Sequence, residues 1–265
     1  MRLTVDHRTT YRFSAPQTRL VQLLRLTPPS THDRAVAAWR IDVDCDAKML
    51  GHHDGFGNAT TTLYVDGPVT SIEISVTGEV LTSHSDGVLH GTAEPLPPPL
   101  FLRSTALTTP DEAITDWVRK VGGNDLLDQL DRLNEALADR LEVAQTRPEP
   151  SVTAAQAFAR DRLTPRDKAH LFVTGARILG APARYVSGYA LDGDDHQPSP
   201  CGWAEAYVER IGWIGVDPCV ARSPEERHVR VAVARDAAGA AAVSGSRLGE
   251  GTEALDVDVV VRREA

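Results

Sequence analysis

Cysteine is scarce in this chain: Cys45, Cys201 and Cys219 are the only three among 265 residues. That number excludes a disulfide-stapled mini-protein and suits a reducing compartment. Lysine is equally rare, with Lys48, Lys120 and Lys168 alone, and no run of Lys or Arg interrupts a formal net charge of -9. Phosphate backbones are therefore poor partners, and nucleic-acid binding is not expected. No stretch of 18 apolar residues occurs, so no membrane span is expected. The opening residues, 1–8, lack the apolar core of a secretory signal, and the expectation is a cytoplasmic protein. What is present is ordinary globular material: 42% hydrophobic and 25% charged residues, enough to bury real cores in one or two domains.

The first third alternates with the period of a β-strand. Leu3, Val5, His7, Thr9, Tyr11 and Phe13 share one face; Trp39, Ile41, Val43 and Cys45 oppose Arg40, Asp42, Asp44 and Asp46; and Ile72, Ile74, Val76 and Val80 repeat the pattern. Asp54-Gly55-Phe56-Gly57-Asn58 is a turn signal between them. This predicts an antiparallel, sandwich-like β domain over 1–92. The run Glu94-Pro95-Leu96-Pro97-Pro98-Pro99-Leu100 forces an extended connector, placed at 93–108.

Beyond it the pattern turns helical. Thr109 is read as a cap before Pro110, helical spacing continues to about 145, Ser151-Val152-Thr153 opens a second segment, and Thr164-Pro165 opens a helix that stops at Gly180. Short β runs follow at 183–190, 202–208, 213–217, 228–235 and 255–263, while the Ala/Gly/Ser-rich stretch 237–251 reads as a loop. Residues 109–265 are thus expected to form one α+β core, helices packed on an antiparallel sheet.

Several phrases in the second half, taken in order, resemble a bacterial transglutaminase-like protein of the papain-like cysteine protease superfamily. They are Asp167-Lys168-Ala169-His170-Leu171-Phe172, Ala183-Arg184-Tyr185-Val186-Ser187-Gly188-Tyr189, Trp203-Ala204-Glu205-Ala206-Tyr207-Val208, Gly212-Trp213-Ile214-Gly215-Val216-Asp217-Pro218 and Arg227-His228-Val229-Arg230-Val231-Ala232. The Asp54–Asn58 turn and the proline-rich connector extend the likeness toward the N-terminus. The resemblance implies a helix that opens Cys-Gln-Asp-x-Ala-His and a strand that opens His-Ala-Trp. A helix end lowers a thiol pKa, an imidazole carries the proton, and a carboxylate fixes the imidazole's tautomer. This chain has Pro165-Arg166-Asp167-Lys168-Ala169-His170 and Cys201-Gly202-Trp203 instead. The nucleophile position is Pro165, the base position is Cys201, and only the aspartate position, Asp217, keeps its residue. Proline has neither a nucleophile nor a backbone N–H for an oxyanion, yet it suits the first turn of a helix.

The resemblance therefore implies a pseudoenzyme without cofactor, whose cleft of Arg166, Asp167, His170, Trp203 and Asp217 holds a peptide or protein partner. Family members are often encoded beside ATP-grasp and α-helical companions, so a component of a peptide-ligase complex is the partner expected by association. A working cysteine peptidase, amidase or acyltransferase using Cys201 is the rival, and a metal-dependent hydrolase a third. Residues 201, 217 and 219 share parity about a turn near 211. Cys201 and Cys219 could thus pair as a disulfide, or join Asp217 and His196 as zinc ligands. The plainer alternative is two small buried residues. Asp167 and Glu205 are acid or base candidates, or else a cap and an ion-pair residue.

Overall fold

The computed structural model describes residues 1–140, 142–144, 149–191 and 201–264. Four strands open the chain: β1 (Arg2–Leu24), β2 (Arg34–Val43), β3 (Lys48–His53) and β4 (Ala59–Thr82). After a 3-10 turn at Pro98–Leu102 come α1 (Glu112–Val121), α2 (Leu126–Arg140), β5 (Glu142–Val143), α3 (Ala154–Phe158), β6 (Arg162–Leu163) and α4 (Pro165–Ile178). Strands β7 (Ala183–Ala190), β8 (Cys201–Val208), β9 (Gly212–Val216), β10 (His228–Ala234), β11 (Val243–Leu248) and β12 (Glu253–Glu264) complete it. No helix among the described residues is long and apolar enough to cross a membrane.

The period-two pattern does what it predicts. Leu3, Val5, His7, Thr9, Tyr11 and Phe13 are all buried along β1, which pairs antiparallel with β4 over most of its length. The register of that pair shifts between Arg12 and Arg19. Residues on both sides of the irregularity, Tyr11 and Phe13 with Leu20 and Leu24, then share one core with Leu63, Val65, Ile72 and Ile74. The long sheet bends over its own apolar face there, because a register shift increases local twist.

Four strands in the order β10-β7-β8-β9 form the second sheet. Small residues on β7, β8 and β9, among them Ala183, Ala204, Ala206 and Val216, leave room for Leu171 and Phe172 of α4 and for Leu130, Leu133 and Leu137 of α2. Burying a leucine or phenylalanine contributes about 1.5–3 kcal/mol, so this cluster is the main stabilising term of the core.

Three expectations change. The stretch read as a loop contains β11, whose weak strand propensity is overridden by pairing with β1, Val243 opposite Leu24 and Leu248 opposite Arg19. Strand β12 pairs with the other half of β1, Arg2 opposite Glu264. The C-terminal strands therefore close the first sheet, and the core expected over 109–265 ends before them. At α1 the cap is Asp111, whose carboxylate accepts from the Ile114 N–H at 2.8 Å. Thr109 instead donates its hydroxyl to the Thr105 carbonyl at 2.8 Å.

The two sheets are held together by polar bonds as well as packing. Within the Asp54–Asn58 turn, Asp54 accepts from the N–H groups of Phe56 and Asn58 at 2.9 and 3.1 Å. Asn58 then reaches β10, accepting from Val233 N–H and donating to Val233 C=O, both at 2.8 Å. The segment that precedes the connector lies along β9, with Leu89 N–H donating to Trp213 C=O at 2.8 Å and Gly215 N–H to Gly87 C=O at 2.9 Å.

Candidate functional site

Helix α4 opens on Thr164 in an extended conformation, followed by Pro165 in the first turn. Both faces of a capping box are made. The Thr164 hydroxyl oxygen accepts from Asp167 N–H at 3.3 Å, and Asp167 Oδ2 accepts from Thr164 N–H at 3.3 Å and from its hydroxyl at 2.7 Å. Arg166 donates to Asp167 Oδ1 at 3.1 Å and to the Val152 carbonyl at 3.3 Å. The helix end, which in a thiol enzyme would face the reacting group, is closed by the chain's own side chains.

Tyr185 of β7 packs beside this end, its ring centroid 5.3 Å from that of His170. A Cβ on Gly202 would lie 1.8 Å from the Tyr185 oxygen, so the phenol requires glycine there. Burial, reinforced by Cys201, pushes that phenol upward from its ordinary pKa. His170 is 1% exposed. Its Nε2 accepts from Ala237 N–H at 2.9 Å, which leaves the proton on Nδ1, without a hydrogen-bond partner among the described residues. Burial, helped by Arg166, lowers its pKa to about 4. It is a neutral, half-satisfied core residue.

Asp217 follows β9 with its carboxylate buried, Oδ1 accepting from Cys219 N–H at 2.9 Å. Its Oδ2 lies 3.4 Å from His228 Nε2. His228 Nδ1 in turn accepts from Glu225 N–H at 3.2 Å. Nε2 is therefore the protonated nitrogen, directed at Asp217, and neither ring nitrogen is left to serve as a base. Trp203 stands edge-on to His228 at 5.3 Å. Burial and the neighbouring Asp217 push the Cys219 thiol well above its ordinary value, opposite to the direction a nucleophile needs. Lys168 of α4 lies buried alongside, donating to the Ala138 carbonyl at 3.4 Å, its pKa lowered by burial against the pull of Cys219 and Asp217.

Cys201 is buried with Val186, Ala190, Trp203, Val233 and Phe56, whereas Ala204 and Ala206 of the same strand pack with α4. Alternation thus sends Cys201 and Trp203 to the sheet face away from the body of that helix. The β8–β9 ladder, Ala204 opposite Val216, would place 201 opposite 219 if extended. It stops at Val216, and Asp217 turns to bridge Arg222. None of the three cysteines is in a disulfide. His196 lies outside the described residues, and no group of three or more His, Cys, Asp or Glu side chains among them is placed to hold a metal.

Glu205 is an ion-pair residue. It receives Arg184 Nε at 2.6 Å and Arg230 Nε at 2.7 Å. Burial would raise its carboxyl, but the two guanidinium groups more than reverse this and hold it at about 2. Arg184 also takes both oxygens of Glu94 from the connector, at 2.6 and 2.9 Å. Arg166, Asp167, His170, Trp203 and Asp217 are each at most 8% exposed, and Gly87–Leu89 line one small cavity together with Trp203 and Glu205. Sequence reasoning missed three features: the His228–Asp217 contact, the Glu94–Arg184 clamp and Tyr185 as a plug. The acidic residue before the proline run is the one local signal among them.

A buried helix packed on a four-stranded antiparallel sheet gives a transglutaminase-like, cysteine-protease-like core. Residues 3–81 match the bacterial transglutaminase-like N-terminal region and residues 115–218 match the transglutaminase-like superfamily. The chain is similar to an uncharacterized protein of Mycobacterium leprae, 25% identical over 100% of this chain and 99% of the other. An uncharacterized protein of Mycobacterium tuberculosis is 28% identical over 89% of this chain and 84% of its own. The crystal structure of a candidate cysteine protease from Cytophaga hutchinsonii shares the fold, with a TM-score of 0.78 at 18% identity, covering 100% of this chain and 92% of that one.

Proposed function

We propose that this chain is a catalytically silent member of its superfamily that acts by binding a peptide or protein segment. One observation carries the reading. The start of α4, where a thiol would have to be activated, holds Pro165 and a Thr164–Asp167 capping box. A proline offers no attacking atom and no N–H, and the Asp167 N–H at this helix end is already engaged by the Thr164 hydroxyl. The imidazole nearest Asp217 has both nitrogens engaged, and the thiol beside it is pushed toward its protonated form. Recognition of a polypeptide needs shape and backbone polarity rather than a nucleophile, so binding outlasts the loss of turnover.

The test is an assay of amine incorporation into casein and of peptide and amide hydrolysis, run on wild type and on Cys201→Ala. Both proteins are expected at the uncatalysed background. Thiol-dependent turnover abolished by Cys201→Ala, or a thioester trapped on any cysteine and seen by mass spectrometry, overturns the reading.

A further inference from the structure

A cleft of about 630 Å³ opens between the two sheets, walled by Pro29 and Phe56 of the first domain, Pro95 of the connector, and Val231 and Val233 of β10. Strand β10 is the outermost strand of the second sheet, so among the described residues one of its edges has no strand beside it. At Val233 that edge is satisfied by Asn58, whose amide accepts the N–H and donates to the C=O, both at 2.8 Å. This pair of bonds is what a residue of an adjoining antiparallel strand makes. Two residues upstream the strand bulges: Arg230 is opposite Gly188 and Ala232 opposite Ser187, which makes Val231 the extra residue of the bulge. Val231 lines the cleft.

The charges in the walls argue about the occupant. Asp54 is engaged by Arg25 at 3.0 Å, Glu94 by Arg184 at 2.6 Å and Arg230 by Glu205 at 2.7 Å. Each charged lining group is already paired, so the cleft offers no unmatched charge to a small ion and is suited to a neutral backbone. The apolar surfaces of Phe56, Pro29 and Pro95 would receive one set of alternating side chains.

We propose that the interdomain cleft binds a short extended peptide that adds to the edge of β10 at Val231, continuing the pairing that Asn58 begins at Val233. The proposal rests on the peptide-binding reading above and gives it a place that no residue of α4 lines.

The probe is a bead-displayed library of N-acetylated, C-amidated pentapeptides Thr-X-Val-X-Thr, panned against the full chain, with selected peptides measured by fluorescence anisotropy. Ala93→Trp fills the cleft from an exposed position and is checked for folding by circular dichroism and thermal melting. It is expected to weaken binding at least tenfold with the melt unchanged. N-methylation of alternate backbone nitrogens of a selected peptide is expected to abolish binding in one phase and to leave it within about twofold in the other, as strand pairing requires. Binding indifferent to Ala93→Trp, or to the phase of methylation, overturns the cleft assignment while the peptide-binding reading stands. A library that yields no binder overturns both.

Discussion

Gly202 shows how far one residue has followed its neighbours. The strand phrase of the superfamily carries alanine at this position, and here a Cβ would fall 1.8 Å from the Tyr185 oxygen. Gly202→Ala is therefore expected to cost about 1–3 kcal/mol by overpacking, measured by urea unfolding. The same substitution in a Tyr185→Leu background is expected to cost under about 1 kcal/mol, because the clash leaves with the phenol. An equal penalty in both backgrounds would show that Tyr185 does not fill the site. Single positions were legible where the chemistry is local. Thr164 and Asp167 read as cap and partner, and Pro165 as a first-turn residue, because a capping box spans three residues of sequence. The His228–Asp217 contact was not legible, since eleven positions and a change of strand separate the two and neither carries a spacing signal.

Helix α4 was the most legible element because each of its boundaries has its own residue chemistry, Thr164 at one end and Gly180 with a φ of 87° at the other. Its cap is reciprocal, the Thr164 hydroxyl engaging Asp167 N–H and the Asp167 carboxylate engaging Thr164 N–H. Thr164→Ala is expected to lose about 0.5–2 kcal/mol of stability and, if the helix end is merely structural, to leave amine incorporation at background. A gain of turnover would mean that the cap conceals a competent site. Strand β11 is the counterexample. The segment Val243-Ser244-Gly245-Ser246 has little strand propensity of its own, and Gly245 is needed where a Cβ would fall 2.2 Å from the Val21 carbonyl oxygen. Its strand character is imposed by β1 from more than two hundred residues away, and no local pattern records that.

At the scale of the molecule, the change from strand-forming to helix-forming sequence was legible from the switch of hydrophobic period. The return of the C-terminus to β1 was not, because pairing between opposite ends of a chain leaves no trace in either end. The junction of the two sheets also contains a buried histidine, His7, whose Nδ1 lies 2.9 Å from Tyr189 Oη and whose Nε2 lies 2.9 Å from Thr9 Oγ1. Burial lowers its pKa to about 4, against the pull of Asp258 and Asp6, and His170 is lowered similarly, to about 4. Both groups are neutral when folded and take a proton more readily when unfolded, so the unfolded state binds more protons below their ordinary value of about 6.5. Stability is therefore expected to be full above pH 6.5 and to fall as the pH drops toward 4, by on the order of 3 kcal/mol for each group. Glu205, held at about 2, gives way only below the ordinary glutamate value of about 4.5. The interval between pH 6.5 and 4.5 thus isolates the histidines. Urea midpoints across that interval should decline in the wild type and decline less steeply in His7→Gln, which keeps a polar group between Tyr189 and Thr9 but cannot titrate. Identical slopes in the two proteins would place the acid sensitivity elsewhere than at the junction of the sheets.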